Sequence, residues 1–174
     1  TGRQGDTLAR ARQLGHVPKM VFTQTSTEYW VRAASLLHTD VEGERDVTLP
    51  ANVRVYHVAG AQHLGGGENT PGTCQQPRNV LDDRPPVLRA CLIALDDWAS
   101  SGKEPPASRY PRIDAGELIP AAEHRERCPS IPGLRHPGRN LQPPRVEYGE
   151  DFWTKGIFSV VPPQPGPPYP TRVP

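Results

Sequence analysis

The sequence predicts an α/β fold built around a parallel pair of strands, and three stretches carry that prediction. "PKMVFTQT", residues 18–25, is a short apolar run behind a proline and suits a buried strand. "NVRVYHVAG", residues 52–60, is β-branched and aromatic, with Val53, Val55 and His57 alternating along it. Between them, "STEYWVRAASLLHTD", residues 26–40, places Tyr29, Ala33, Leu36 and Leu37 at helical spacing. A strand, a helix and a strand in that order pair in parallel in one sheet. Open sheets of this kind gather their chemistry in the loops at the carboxyl ends of the strands.

The remaining elements follow in chain order. Residues 1–17 are polar and basic and lead into the first strand as helix or loop. Thr25 and Glu28 have capping-box spacing at the start of the short amphipathic helix over 26–40. "VEGERDVTLPA", 41–51, is a charged excursion around Gly43, and 64–79 form a long loop of glycine and proline. In 82–103, Asp82 or Asp83 caps a helix whose first turn tolerates two prolines. Leu88, Cys91, Leu92, Leu95 and Trp98 form its apolar stripe, and Gly102 ends it. After residue 104 "KEPPASRYPRI" reads as extended, and residues 120–150 read as turns with a short strand at "RVEYG". The last 14 residues hold seven prolines, which favours polyproline-like chain with little core.

Bulk composition narrows the function. The 174 residues suffice for one domain with a core, yet only 35% are hydrophobic and the mean hydropathy is −0.61. The 22 prolines and 16 glycines are unevenly spread, so they mark regions and do not describe the whole chain. A net charge of +1 with scattered arginines gives no steering toward nucleic acid or an anionic membrane. No apolar run is long enough to span a bilayer. "TGRQGDTLARARQLG" has neither an initiator Met nor an apolar signal core, and "PPYPTRVP" closes on no element, so the expectation is an internal piece of a longer chain. The spacings of Cys74, Cys91 and Cys128 fit no zinc pattern. Cys91 reads as a buried free thiol, while Cys74 and Cys128 lie in loops where export would permit a pair, a connectivity that an odd count of cysteines leaves open.

The chemistry is expected at Glu28 and His63. An acid just after one strand and a histidine just after the next are two members of a hydrolytic triad: the histidine takes the serine's proton and the acid holds the imidazole. Ala59, Gly60 and Ala61 let the chain turn to present His63, and Gly65, Gly66 and Gly67 keep bulk away from it. Acid before histidine is the order that follows a G-x-S-x-G nucleophile elbow. None of Ser26, Ser35, Ser100, Ser101, Ser108, Ser130 and Ser159 carries glycine two places away on both sides, so either the nucleophile lies before residue 1 or Glu28 and His63 belong to no triad.

"VFTQTSTEYWVRAASLLHTD", "LPANVRVYHVAGAQH" and "PPVLRACLIALDDWASSGKEPPASRYPRI" resemble a poorly characterised bacterial family, the α/β-hydrolase domain family. T-S-x-E-Y-W and A-G-x-Q-H are the specific parts, and the likeness extends from "TGR" near the start to "PPYPTRVP" near the end. The resemblance implies a serine-hydrolase scaffold whose serine segment precedes this region. It implies that Glu28 follows the penultimate core strand and His63 the last. On it, residues 1–110 are the C-terminal portion of an α/β-hydrolase core and residues 111–174 a proline-rich, loop-dominated extension. The resemblance supplies no substrate; the first reading of the chain is a hydrolase of a small-molecule ester-type substrate, with no cofactor and no metal expected, and the family type is compatible with a secreted or periplasmic location.

Each candidate also has a plainer reading. Glu28 fits the N3 position of a capping box, and His63 fits a solvated loop histidine. His57 fits the sheet face; His38 and Asp40, the alternative acid–base source, fit a helix end, where a histidine suits the dipole. Asp96 and Asp97 fit the solvated side of their helix. Tyr29 and Trp30 flank the site as packing residues or as substrate contacts, and Gln62 is placed to line a pocket. A non-catalytic binding module on a hydrolase-like scaffold competes with the enzyme. A metal hydrolase using His57, His63 and an acid lacks a third ligand at convincing spacing.

Overall fold

A computed structural model of the chain describes residues 8–63, 84–133 and 135–174. The two expected strands form: β1 (Met20–Thr25) and β2 (Val53–Val58) pair in parallel, from Met20 opposite Val53 to Thr25 opposite Val58. Val53 and Val55, two residues apart, turn to the inside and are buried, as the period of a strand requires. They pack with Leu8, and Met20, Phe22, Leu37, Leu49 and Tyr110 close around them. The extended segment after residue 104 continues this sheet on the far side of β2. The His57 N–H donates to the Arg109 carbonyl at 2.7 Å, and the Arg109 N–H to the Val55 carbonyl at 2.9 Å.

A short helix α1 (Ala9–Gln13) precedes β1, and α2 (Ser26–Val31) follows it directly. The helix expected over 26–40 is broken. Ala33 takes a left-handed conformation with φ of 56°, and a 3₁₀ turn, Ala34–Leu37, continues at a new angle. For an alanine this costs about 1 kcal/mol. The break lets Tyr29, from α2, and Ala34, from the new turn, pack on one buried Leu118, with Ile113 beside it.

The long helix α3 (Arg84–Ser101) packs against β1, but its apolar stripe does not point where the spacing suggests. Leu88, Leu92 and Ile93 are exposed; Val87, Cys91, Ala94 and Leu95 are half-buried, and only Trp98 is fully buried. Trp98 decides the rotation, because Lys19 and Arg54 stack on its ring, 5.4 and 4.7 Å from the centroid. The loop 64–79, Cys74 and the caps Asp82 and Asp83 lie outside the described residues.

The carboxyl-terminal part holds α4 (Ala121–Arg127) and β3 (Pro144–Glu147), which pairs antiparallel with β4 (Gln164–Pro168) around α5 (Phe152–Lys155). The final residues depart from the expectation of little core: Thr171 and Val173 are buried. Val173 exchanges backbone hydrogen bonds with Ile119 at 2.8 and 2.9 Å, and the Arg172 N–H donates to the buried Ser35 hydroxyl at 3.0 Å. Prolines lack N–H donors but leave the residues between them free to pair. The excursion at 41–51 is what this tail lands on. Its own turn is closed by Asp40, which accepts the Glu44 N–H at 2.8 Å and the Arg45 side chain at 3.1 Å. Gly43, at φ +63°, accepts the Arg172 guanidinium on its carbonyl, and a Cβ there would strike the Pro170 carbonyl.

Candidate active site

The site is assembled by two strand ends that register brings level. Thr25, the last residue of β1, sits opposite Val58, the last of β2. From Thr25 the chain enters α2 at once; from Val58 it turns through Ala59 and Gly60, and Gly60 takes a φ of +72° that favours glycine. The Gly60 N–H donates to the Ser26 hydroxyl at 2.8 Å, which ties the second strand's turn to the first strand's helix. The Arg84 guanidinium at the start of α3 donates to the His63 carbonyl and holds the loop from the other side.

Between these ties the side chains of Glu28 and His63 meet. Glu28 Oε1 accepts the hydrogen bond from His63 Nδ1. Its second oxygen, Oε2, accepts the Thr25 N–H at 2.6 Å and the Thr25 hydroxyl. The capping box is therefore present as well, and one carboxylate serves both arrangements. Burial by itself raises the Glu28 carboxyl, but bonds from the Thr25 hydroxyl, the His63 ring and two backbone N–H groups outweigh it. The net position is below the usual carboxylate range. An ionised Glu28 fixes the proton of a neutral His63 on Nδ1, which leaves the Nε2 lone pair for an incoming proton. The His63 ring is half exposed and Glu28 mostly covered, so the pair opens to solvent on the imidazole side. Among the described residues no serine hydroxyl bonds to the His63 ring.

The flanking candidates separate. Tyr29 is wholly buried; its hydroxyl bonds to His38 Nε2 at 2.8 Å and its ring meets His57 edge-on at 5.0 Å. It faces the core under the site. Trp30 points the other way, edge-on to His124 and His136 at 5.2 and 5.5 Å. Gln62 is half-buried beside His63. His57 meets the Tyr29 ring edge-on, and burial holds it below the ordinary imidazole range against the upward pull of the nearby Glu28 carboxylate. His38 is fully buried within the 3₁₀ region, and burial lowers it to about 4. It does stand at a helix end, as the C-cap of the 3₁₀ turn, but as a neutral core group whose charge burial disfavours. Asp40 is spent on closing the excursion. Ser26 and Arg84, which hold the loop in place, carried no signal in the sequence, because their partners are backbone atoms.

A family model described as alpha/beta hydrolase domain matches residues 3–140. The chain belongs to this α/β-hydrolase domain family. No curated protein and no solved structure matches it. In this α/β-hydrolase the match takes in β1, α2, β2, His63, α3 and α4, while β3, α5 and β4 fall after it. The scaffold is hydrolase-like, with a parallel strand pair and a helix between as the unit that carries the candidate pair. Among the described residues no helix is long and apolar enough to cross a membrane.

Proposed function

We propose that this α/β-hydrolase cleaves small ester-type substrates by a Ser–His–acid mechanism in which His63 is the base and Glu28 its orienting acid. The serine is supplied from a segment preceding Thr1. Its oxygen attacks the acyl carbon while its proton passes to His63 Nε2. The imidazolium then gives that proton to the departing alkoxide, and water repeats the sequence to release the acid. Glu28 stabilises the imidazolium in both halves without itself taking the proton. One observation supports the reading above the others: the carboxylate of Glu28 and Nδ1 of His63 bond across the carboxyl ends of two adjacent parallel strands.

A fluorophosphonate probe applied to the full-length protein tests this. One serine is labelled, His63→Ala abolishes labelling, and Glu28→Gln slows it by on the order of 10³–10⁴-fold, as loss of a triad acid does elsewhere. Labelling that persists at the original rate in His63→Ala removes His63 from the mechanism. A full-length protein that takes no label is a binding module on a hydrolase scaffold.

A further inference from the structure

On the other side of α2 from Glu28, three residues that the cysteine spacing passed over come together. His124 lies in α4, Cys128 caps that helix four residues on, and His136 returns to them after a turn. The i, i+4 spacing places His124 and Cys128 on one helix face, as it does for paired ligands in helical metal sites. One ligand atom from each lies within 4.8 Å of the others. His124 Nδ1 and His136 Nε2 are 2.8 Å apart, and the rings are tilted 36° at 5.0 Å. Two imidazole nitrogens thus point at each other and share one proton. The second nitrogen of His136, Nδ1, is buried without a hydrogen-bond partner. The ring of His136 is therefore held by little besides His124 and the edge contact with Trp30.

We propose that His124, Cys128 and His136 form a binding site for a thiophilic divalent cation of the zinc class. Tetrahedral zinc holds nitrogen at about 2.0–2.1 Å and thiolate sulfur at about 2.3 Å, which sets two nitrogen ligands about 3.3 Å apart. The two imidazoles need only part by about 0.5 Å to reach that spacing. On binding, the Cys128 thiol gives its proton to solvent, and the imidazole that had donated shifts its proton to its remote nitrogen. Both rings then coordinate as neutral ligands. A cavity of about 400 Å³ lies against the three residues and leaves the fourth position open to water or an anion. Arg125 and Arg135 line the same cavity. Their charge is offset by the thiolate and by an anionic fourth ligand, and a donor set of two imidazoles and a thiolate, with no carboxylate or carbonyl oxygen, disfavours magnesium and calcium. The bound ion joins α4 to the segment around His136, over Trp30 of the helix that carries Glu28. Trp30 further accepts the Leu141 N–H on its carbonyl at 2.7 Å, so the site and the carboxyl-terminal chain fasten to the same residue.

The test is metal binding, read independently of hydrolysis. Purified full-length protein, stripped with a chelator, is titrated with Zn²⁺ against a chromogenic competitor and with Co²⁺ by absorption. Expected are one equivalent bound, cobalt bands of tetrahedral type with a thiolate charge-transfer band, quenching of Trp30 fluorescence by Co²⁺, and a zinc-dependent rise in Tm. Cys128→Ser and His136→Gln each lose the charge-transfer band or weaken zinc binding at least tenfold. Losing a group that merely orients a ligand already costs about 10–100-fold. Cys91→Ser behaves as the parent. Cys128 is exposed, so its serine variant folds whatever happens to His136→Gln, and circular dichroism verifies both. Binding below one equivalent, or zinc affinity unchanged in Cys128→Ser, overturns the site.

Discussion

Glu28 gives one oxygen to His63 and the other to Thr25, so the acid that orients the imidazole is itself held by the first turn of its own helix. The capping box and the bond to His63 coexist, because a carboxylate has lone pairs enough for both. The same helix turns Tyr29 inward to His38. His38 titrates at about 4 in the folded protein against 6.5 when free, chiefly because burial penalises its charged form. Asp46 and its own backbone bond pull it up, and His57 pushes it further down. Above pH 6.5 both states are neutral there and its contribution to stability is whole. As pH falls toward 4 the unfolded chain takes a proton that the fold refuses, and stability is lost by about 3 kcal/mol at most. Thermal unfolding of the protein is expected to show Tm dropping through that window. His38→Gln, though less stable at neutral pH, should show a shallower drop; parallel curves for the two would exclude His38 as the source.

Helices α2 and α3 show how tertiary contacts re-aim elements whose existence is plain from spacing. The 3.6-residue period over 26–40 is real, but Ala33 breaks it so that two short pieces bury different faces. In α3 the leucines at 88 and 92 carry the stronger apolar signal, yet Trp98 buries more area and gains two cations, so the helix rolls onto Trp98. In the 174-residue chain, Trp98→Ala is expected to cost about 3 kcal/mol in urea denaturation. Leu92→Lys, at a position 67% exposed, should stay within about 0.5 kcal/mol of the parent. Equal losses for both would place the buried face on the leucine side.

Across the molecule, the excursion at 41–51 is the joint between the strand pair and the carboxyl-terminal chain. Asp46 accepts the N–H groups of Ile113 and Asp114, both at 3.0 Å, and Glu42 pairs with Arg145 at 2.8 Å. Val173 closes against Ile119 at the far end of the same contact. Val173→Asp buries a charge with no partner and is expected to lower Tm by several degrees, about 3 kcal/mol, whereas Val161→Asp, 79% exposed, should leave it unchanged. Calorimetry of the two variants decides whether the last residues belong to the cooperative unit; no loss in Val173→Asp would detach them from it.

Much of this was open to reading from local order. Strand period, β-branched content and capping spacing are short-range properties, so β1, β2, the start of α2 and the pair Glu28 and His63 at neighbouring strand ends could be named from residues in line. What the line of residues did not contain was direction: which face α3 buries, where the proline-rich tail lands, and that His124, Cys128 and His136 share one point behind Trp30. Those depend on contacts between groups far apart in sequence. Their energies come from shape and from unsatisfied polar atoms in the packed state, and neither exists until the chain has folded.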